Sequence, residues 1–278
     1  MTPPEIFDRA RRRARRDRAA PLFAEASFIR DWMLEGISER LDAVRREFTD
    51  VLDLGCFDGG FLPPPGARVT RIDAGERFAA MTGGIQGDED RPYVPEGSFD
   101  LVIAAGSLDT VNDLPGALAL IRRALRPDGL FLGAFLGGVT LSTLRSVLLE
   151  AEADRPAARV HPQVDVRAAG DLLVRAGFAL PVADVESLDV RYTDLFALVR
   201  DLRGMAGTSL LPAPPPLSRA TVARAAAAFA ARGDAEGRTT ERFDAIFVTG
   251  WAPDPSQPQP ARRGSATASL AAALKPKP

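Results

Sequence analysis

Three acidic residues stand at intervals that suit a nucleotide. Asp53 closes the apolar run Asp50–Gly55, Asp73 closes the run Ala67–Asp73 about twenty residues on, and Asp88 sits in the short acidic stretch Gly87–Asp90. An acid at the end of the second strand of an open α/β sheet accepts hydrogen bonds from both ribose hydroxyls. Asp88 is placed to reach an adenine amino group. Gly55 and Gly59 give the loop between the first two strands its backbone freedom. Phe57 lies between them, where a close approach of the backbone to a ligand would call for glycine, and Ala105, near the end of the third apolar run, completes the candidate cofactor set. Each acid taken alone is more often a turn residue or a helix cap; the ordered set carries the signal.

These residues need a sheet to position them. Residues 50–55, 67–73, 98–106 and 129–137 are short, nearly continuous apolar runs, as expected of parallel strands buried on both faces. Between the last two lies an amphipathic segment, 113–127, with Asp113 as N-cap and Pro115 in the first turn. Alternating strands and helices make a doubly wound α/β sheet. Pro127-Asp128-Gly129 has the composition of a turn. Further helices are expected at about 140–153, 166–176 (ended by Gly177), 194–203 and 218–232, with strands at about 180–190 and 242–251, the last completing the same sheet. Upstream, residues 4–20 read as an arginine-rich helix that presents a solvated face or, alternatively, meets an acidic partner or lipid; Ile6, Phe7 and Ala10 offer it a short apolar edge. Residues 27–46 place Ile29, Trp32, Met33, Ile37, Leu41 and Val44 at helical spacing, for packing on the sheet. The expected organisation is N-terminal helices over 1–48, a core domain over 49–253 with a helical insertion at about 190–235, and a loosely ordered tail over 254–278.

The loop after the first strand is the anomaly. Only Phe61-Leu62-Pro63-Pro64-Pro65-Gly66 separates Gly60 from the second strand. A helix normally fills this gap and offers its N-terminus to the anionic part of a ligand, but three prolines in succession cannot propagate one. The loop therefore either binds a cofactor without that helix or folds into a closed turn over the sheet.

Composition narrows the alternatives. The chain has 278 residues, 46% hydrophobic, and a formal net charge of −2, so no basic balance points to nucleic acid. One cysteine, Cys56, excludes an internal disulfide and a Cys-rich metal site, and one histidine, His161, leaves little for a His-based triad or a His-ligated metal. Cys56 reads as a small buried filler, His161 as a surface-loop residue, and Trp32 and Trp251 as packing anchors. No apolar run approaches the roughly 20 residues of a membrane span and no signal-peptide pattern is present, which points to a bacterial, cytoplasmic protein.

Several motifs together resemble one family: Ile6-Phe7-Asp8-Arg9-Ala10, Asp53-Leu54-Gly55-Cys56, Ser98-Phe99-Asp100-Leu101-Val102, Val111-Asn112-Asp113-Leu114-Pro115, Gly138-Val139-Thr140-Leu141, Arg175-Ala176-Gly177-Phe178, Asp201-Leu202-Arg203-Gly204-Met205, Thr249-Gly250-Trp251 and Arg263-Gly264-Ser265-Ala266. The chain resembles the complex I assembly factors of methyltransferase fold, the arginine-hydroxylase type, and more distantly the malonyl-carrier-protein methyltransferases of biotin synthesis. The resemblance implies a class I methyltransferase (Rossmann-like) fold and an S-adenosylmethionine-type site at Gly55, Gly59, Asp73 and Asp88. It also implies a protein substrate, in that family an iron–sulfur subunit of complex I, and places Tyr192 at the substrate cleft. Phe57 departs from the family's glycine, and Asp109 stands where many relatives carry histidine. No catalytic residue is designated, since methyl transfer needs mainly proximity and in-line orientation. Two readings follow: a cofactor-dependent methyltransferase or hydroxylase, and a catalytically inactive pseudo-methyltransferase serving as an assembly or binding module. A third, a small-molecule methyltransferase of the biotin type, is disfavoured by the terminal motifs.

Overall fold

The computed structural model describes residues 5–91, 94–212 and 214–258. Pro4, the Arg263–Ala266 motif and most of the expected tail lie outside them. Seven strands form one sheet: β1 (Asp50–Leu54), β2 (Arg68–Asp73), β3 (Ile85–Gln86), β4 (Phe99–Ala105), β5 (Leu125–Gly137), β6 (Ala179–Tyr192) and β7 (Thr239–Trp251). Their order is β3-β2-β1-β4-β5-β7-β6. Strands β3, β2, β1, β4 and β5 pair in parallel, and β7 runs antiparallel between β5 and β6. Every residue of β4 is buried, because it lies mid-sheet with a layer on each face.

The helices are α1 (Arg9–Ala19), α2 (Phe28–Asp42), α3 (Glu76–Thr82), α4 (Leu114–Ala124), α5 (Ser142–Ala151), α6 (Val166–Ala176), α7 (Leu195–Gly204) and α8 (Arg219–Ala230). Local chemistry sets several of their ends. The carboxylates of Asp8, Asp113, Asp165 and Asp194 and the hydroxyl of Ser218 accept backbone N–H bonds at the starts of α1, α4, α6, α7 and α8. Gly177 closes α6 in the left-handed region, at φ 84°. One core cluster joins Ile29, Met33 and Ile37 of α2 to β1, β4, β5, β7, α5, α7 and α8; the other packs α4 and α6 on the opposite face. Trp32 meets Phe247 edge-on, with ring centroids 6.4 Å apart, and Trp251 also packs on the core. No described helix is long and apolar enough to cross a membrane.

Three features differ from the sequence expectation. Pro127-Asp128-Gly129 is not a free turn: β5 starts at Leu125, and the segment is a bulge across which the pairing jumps from Phe99↔Leu125 to Leu101↔Leu130, with Asp128 left-handed at φ 60°. The short α3 and β3 escape the periodicity. The arginine-rich helix begins only at Arg9; Ile6 is exposed, and Phe7 alone is buried from its expected apolar edge. No helix follows β1, as the prolines require. Phe61 fills that place, buried in the same cluster as α2, so an upstream helix supplies the cover that the crossover lacks.

Candidate functional site

The carboxyl ends of β1, β2 and β4 form an edge that α1 crosses. Asp53, next to last in β1, is fully buried, yet neither carboxylate oxygen has a hydrogen-bond partner among the described residues; Arg30 and Arg71 stand 3.9 Å away. Burial pushes its carboxyl up to about 6, against the pull of these two arginines. Gly55 turns the chain at φ 73°, and a Cβ there would lie 2.3 Å from the Ser107 hydroxyl. Ala105 is buried in the sheet core beside Ala134. Gly59 adopts φ 80°. Phe57 is left-handed at φ 48°, a conformation that suits glycine and costs a larger residue roughly 1–2 kcal/mol.

Asp73 ends β2 fully buried, and its ligands are already in place. The Arg16 guanidinium pairs with both carboxylate oxygens, 2.8 Å from Nε to Oδ1. The backbone N–H groups of Phe57 and Gly75 donate to it at 2.9 and 2.7 Å. These partners hold the carboxyl below its ordinary value despite its burial. Arg16 also lies 3.7 Å over the Phe57 ring, a desolvated cation–π contact. Phe57 in turn stacks on Phe23 at 4.9 Å and meets Phe78 at 5.3 Å.

The same helix closes the rest of the edge. Arg12 binds the buried Glu89 carboxylate at 2.6 and 2.8 Å. Arg13 donates to Asp88 at 2.7 Å, and Arg9 to Asp90 at 2.7 and 2.5 Å. Positions 9, 12, 13 and 16 share one helical face, and the complementary acids are Asp90, Glu89, Asp88 and Asp73. The arginine run is therefore neither a solvated face nor a partner surface on this side; it is neutralised within the chain. Sequence reasoning singled out Asp73 and Asp88 and missed Glu89, Asp90 and all four arginines. The signal was the match between a helical arginine stripe and the Asp-Glu-Asp triplet.

An S-adenosylmethionine of the kind the resemblance implies does not fit this arrangement. Arg16 holds the acid meant for the ribose, and the space left beside Phe57, Arg12 and Gly106 is about 60 Å³, far below the roughly 300–1,000 Å³ of small-molecule sites. Phe57 and Arg16 do the filling. Leu62 is exposed and the three prolines lie at the surface margin, so the proline segment leaves the cleft untouched.

A larger cavity of about 410 Å³ lies on the other side of α1, among α5, α7, α8 and the 159–163 segment. Asp109 lines both spaces, with Oδ1 unpartnered and its carboxyl pushed up to about 6 by burial. His161 is a wall residue of this cavity rather than a surface-loop side chain: its Nε2 accepts from the Leu210 N–H at 2.7 Å, and burial, with Arg15 nearby, pulls its imidazole down to about 4. Tyr192 lies in the core cluster rather than at a cleft. Cys56 is buried, its thiol pushed up to about 12 mainly by burial, which leaves it inert as a nucleophile.

Comparison with known proteins agrees with this architecture. A methyltransferase domain family matches residues 12–181. The mitochondrial arginine-hydroxylase NDUFAF5 of Danio rerio is 33% identical, with 96% of this chain and 88% of the relative covered. The malonyl-[acyl-carrier protein] O-methyltransferase of Laribacter hongkongensis is 32% identical over 74% of this chain and 76% of its own. A crystal structure of a Bacillus halodurans protein, described as a methyltransferase, superposes with a TM-score of 0.53 at 14% identity, covering 80% of this chain and 99% of that one, a likeness of fold.

Proposed function

Because the chain belongs to the methyltransferase-domain family, in the group of the relatives named arginine-hydroxylase NDUFAF5, we propose that it serves respiratory complex I assembly as a protein-binding member whose cofactor edge is closed by its own first helix. One observation carries the non-catalytic half of this reading: both oxygens of Asp73 are committed to Arg16 and to the Phe57 and Gly75 amides. A nucleoside would have to break a buried, bidentate ion pair before making its own contacts, and breaking such a pair costs about 3–5 kcal/mol. The assembly half rests on the resemblance and on the relatives. An iron–sulfur subunit is the partner this reading expects, and the cellular compartment follows from wherever that subunit matures.

Calorimetry on the full-length protein tests the closed edge. No heat and no shift in melting temperature are expected with S-adenosylmethionine up to about millimolar concentration; micromolar binding, which would raise the melting temperature by mass action, overturns it. In cells, loss of the chain should lower assembled complex I, and an Asp53→Ala variant should restore it as fully as the natural chain. A folded Asp53→Ala protein that fails to restore assembly would favour the second reading, a cofactor-dependent methyltransferase or hydroxylase acting on the protein partner. That reading draws its support from Asp53 itself, a buried acid with no hydrogen-bond donor among the described residues, which suits a cationic ligand group once α1 moves away.

A further inference from the structure

The second face of α1 is built unlike the first. Arg11, Arg15 and Arg18 are spaced by four and three residues; among the described residues Arg15 and Arg18 have no acidic partner, and Arg11 has only a long ion pair, 4.0 Å from Asp8. Arg203, in the last turn of α7, has no acidic partner among the described residues. Arg11 reaches only the Leu211 carbonyl and Arg15 only the Thr208 hydroxyl. The Arg15 Nε is buried with no acceptor. Burial, and then the charges of Arg11, Arg18 and Arg203, hold the Arg15 guanidinium below its ordinary value. A chain that neutralises Arg9, Arg12, Arg13 and Arg16 one by one leaves this neighbouring cluster repelling itself. Such a cluster lacks an anion.

Arg11, Arg15 and Arg203 border the 410 Å³ cavity, whose remaining wall is largely aliphatic: Leu144 and Leu148 from α5, Leu195 and Val199 from α7, Val222 from α8, and Val160. Arg159 also borders it but is held by Glu152 at 2.6 and 2.8 Å, so the free positive charge is gathered at the α1–α7 side. The cavity falls within the size range of small-molecule sites, which pair an apolar lining with a few convergent polar groups.

We propose that this cavity binds an aliphatic carboxylate, its chain lying among the α5, α7 and α8 side chains and its carboxylate received by Arg11, Arg15 and Arg203. Complementarity of charge and shape selects that occupant. A neutral chain leaves the arginines unpaired, and a cationic one, arginine side chains included, is repelled. Asp109 is the one acid among the described wall residues, and it is shared with the small space beside Phe57. The site makes no use of the Asp73 edge, although it adjoins that edge at Asp109 and takes two arginines from α1; its test reads carboxylate binding directly and needs no S-adenosylmethionine.

Titration calorimetry of the full chain with decanoate, decanol and decyltrimethylammonium tests the assignment. Decanoate should bind, decanol about tenfold or more weaker for want of charge-assisted hydrogen bonds, and the cation not at all. Arg15→Gln and Arg203→Gln should each weaken decanoate about tenfold while leaving decanol unchanged. Leu148→Trp, which fills the chain region, should abolish both. Equal affinity of the natural protein for decanoate and decanol, or no decanoate binding at about millimolar concentration, overturns the proposal without any variant having to fold.

Discussion

Removing either half of the Arg16–Asp73 pair strands the other as an uncompensated buried charge. Arg16→Met and Asp73→Asn should each destabilise the protein by about 3–5 kcal/mol, and the double variant by clearly less than the sum. Urea denaturation of the four proteins measures this, and a coupling energy near zero would show that the pair is incidental. His161 supplies a prediction with a sign. Its imidazole is pulled from 6.5 to about 4 in the fold, so below pH 6.5 the unfolded chain takes up a proton that the folded chain refuses. Stability from this residue is complete above pH 6.5 and lost as pH falls toward 4. Asp53 and Asp109, both pushed up to about 6, act in the opposite sense between about 4 and 6, but they are common to the natural chain and to His161→Gln, which keeps an acceptor for the Leu210 N–H. The natural protein should therefore lose stability more steeply than His161→Gln between pH 6.5 and 4. Parallel curves of urea midpoint against pH would refute the neutral, buried histidine.

At the scale of elements, α1 is held by its ion pairs rather than by an apolar stripe: Arg12, Arg16 and Ala19 are its buried residues. Proline at the exposed Ala14 should cost about 3 kcal/mol or more by breaking the helix between Arg12 and Arg16, and limited proteolysis should then cut within 9–19. Because Arg12–Glu89 and Arg16–Asp73 are buried, raising salt from about 0.1 M to about 1 M should leave α1 protected; cleavage that rises with salt would mean the ladder is solvent-screened. The same helix shows what a sequence gives and withholds. Periodicity and caps disclosed most elements, since β4 is a continuous apolar run and Asp113 and Gly177 mark their helix ends chemically. The two-residue β3 has no period to read, and Pro-Asp-Gly has turn composition whether it lies in a loop or in a β5 bulge. The acids of the site were legible from their positions after strands. Their occupants were not, because Arg16 meets Asp73 across fifty-seven residues, and sign complementarity alone does not say which stripe of a helix faces inward.

For the molecule as a whole, the last strand is the one most embedded in the far half of the sheet. Strand β7 pairs with β5 on one side and β6 on the other, and Phe243, Ala245, Ile246 and Phe247 are all fully buried. The helices α5 and α6 pack on β7 itself and α6 and α7 on β6, so β7 is the main tie between the far half of the sheet and β5, beside the contact of α6 with α4. Until residues 239–251 are made, β5 is an open edge and β6 has no neighbour. Phe247→Ala should then cost about 3–5 kcal/mol with the denaturant slope preserved, as for a large core truncation in an intact fold. A chain ended after Arg238 should lose cooperative unfolding and near-ultraviolet circular dichroism together, while keeping helical signal from local segments. If that shortened chain unfolded in a single transition with the full-length slope, β1, β2, β4 and β5 with α1–α4 would be an autonomous unit. The cavity between α1 and the later helices would then be an interface between two bodies instead of a feature of one.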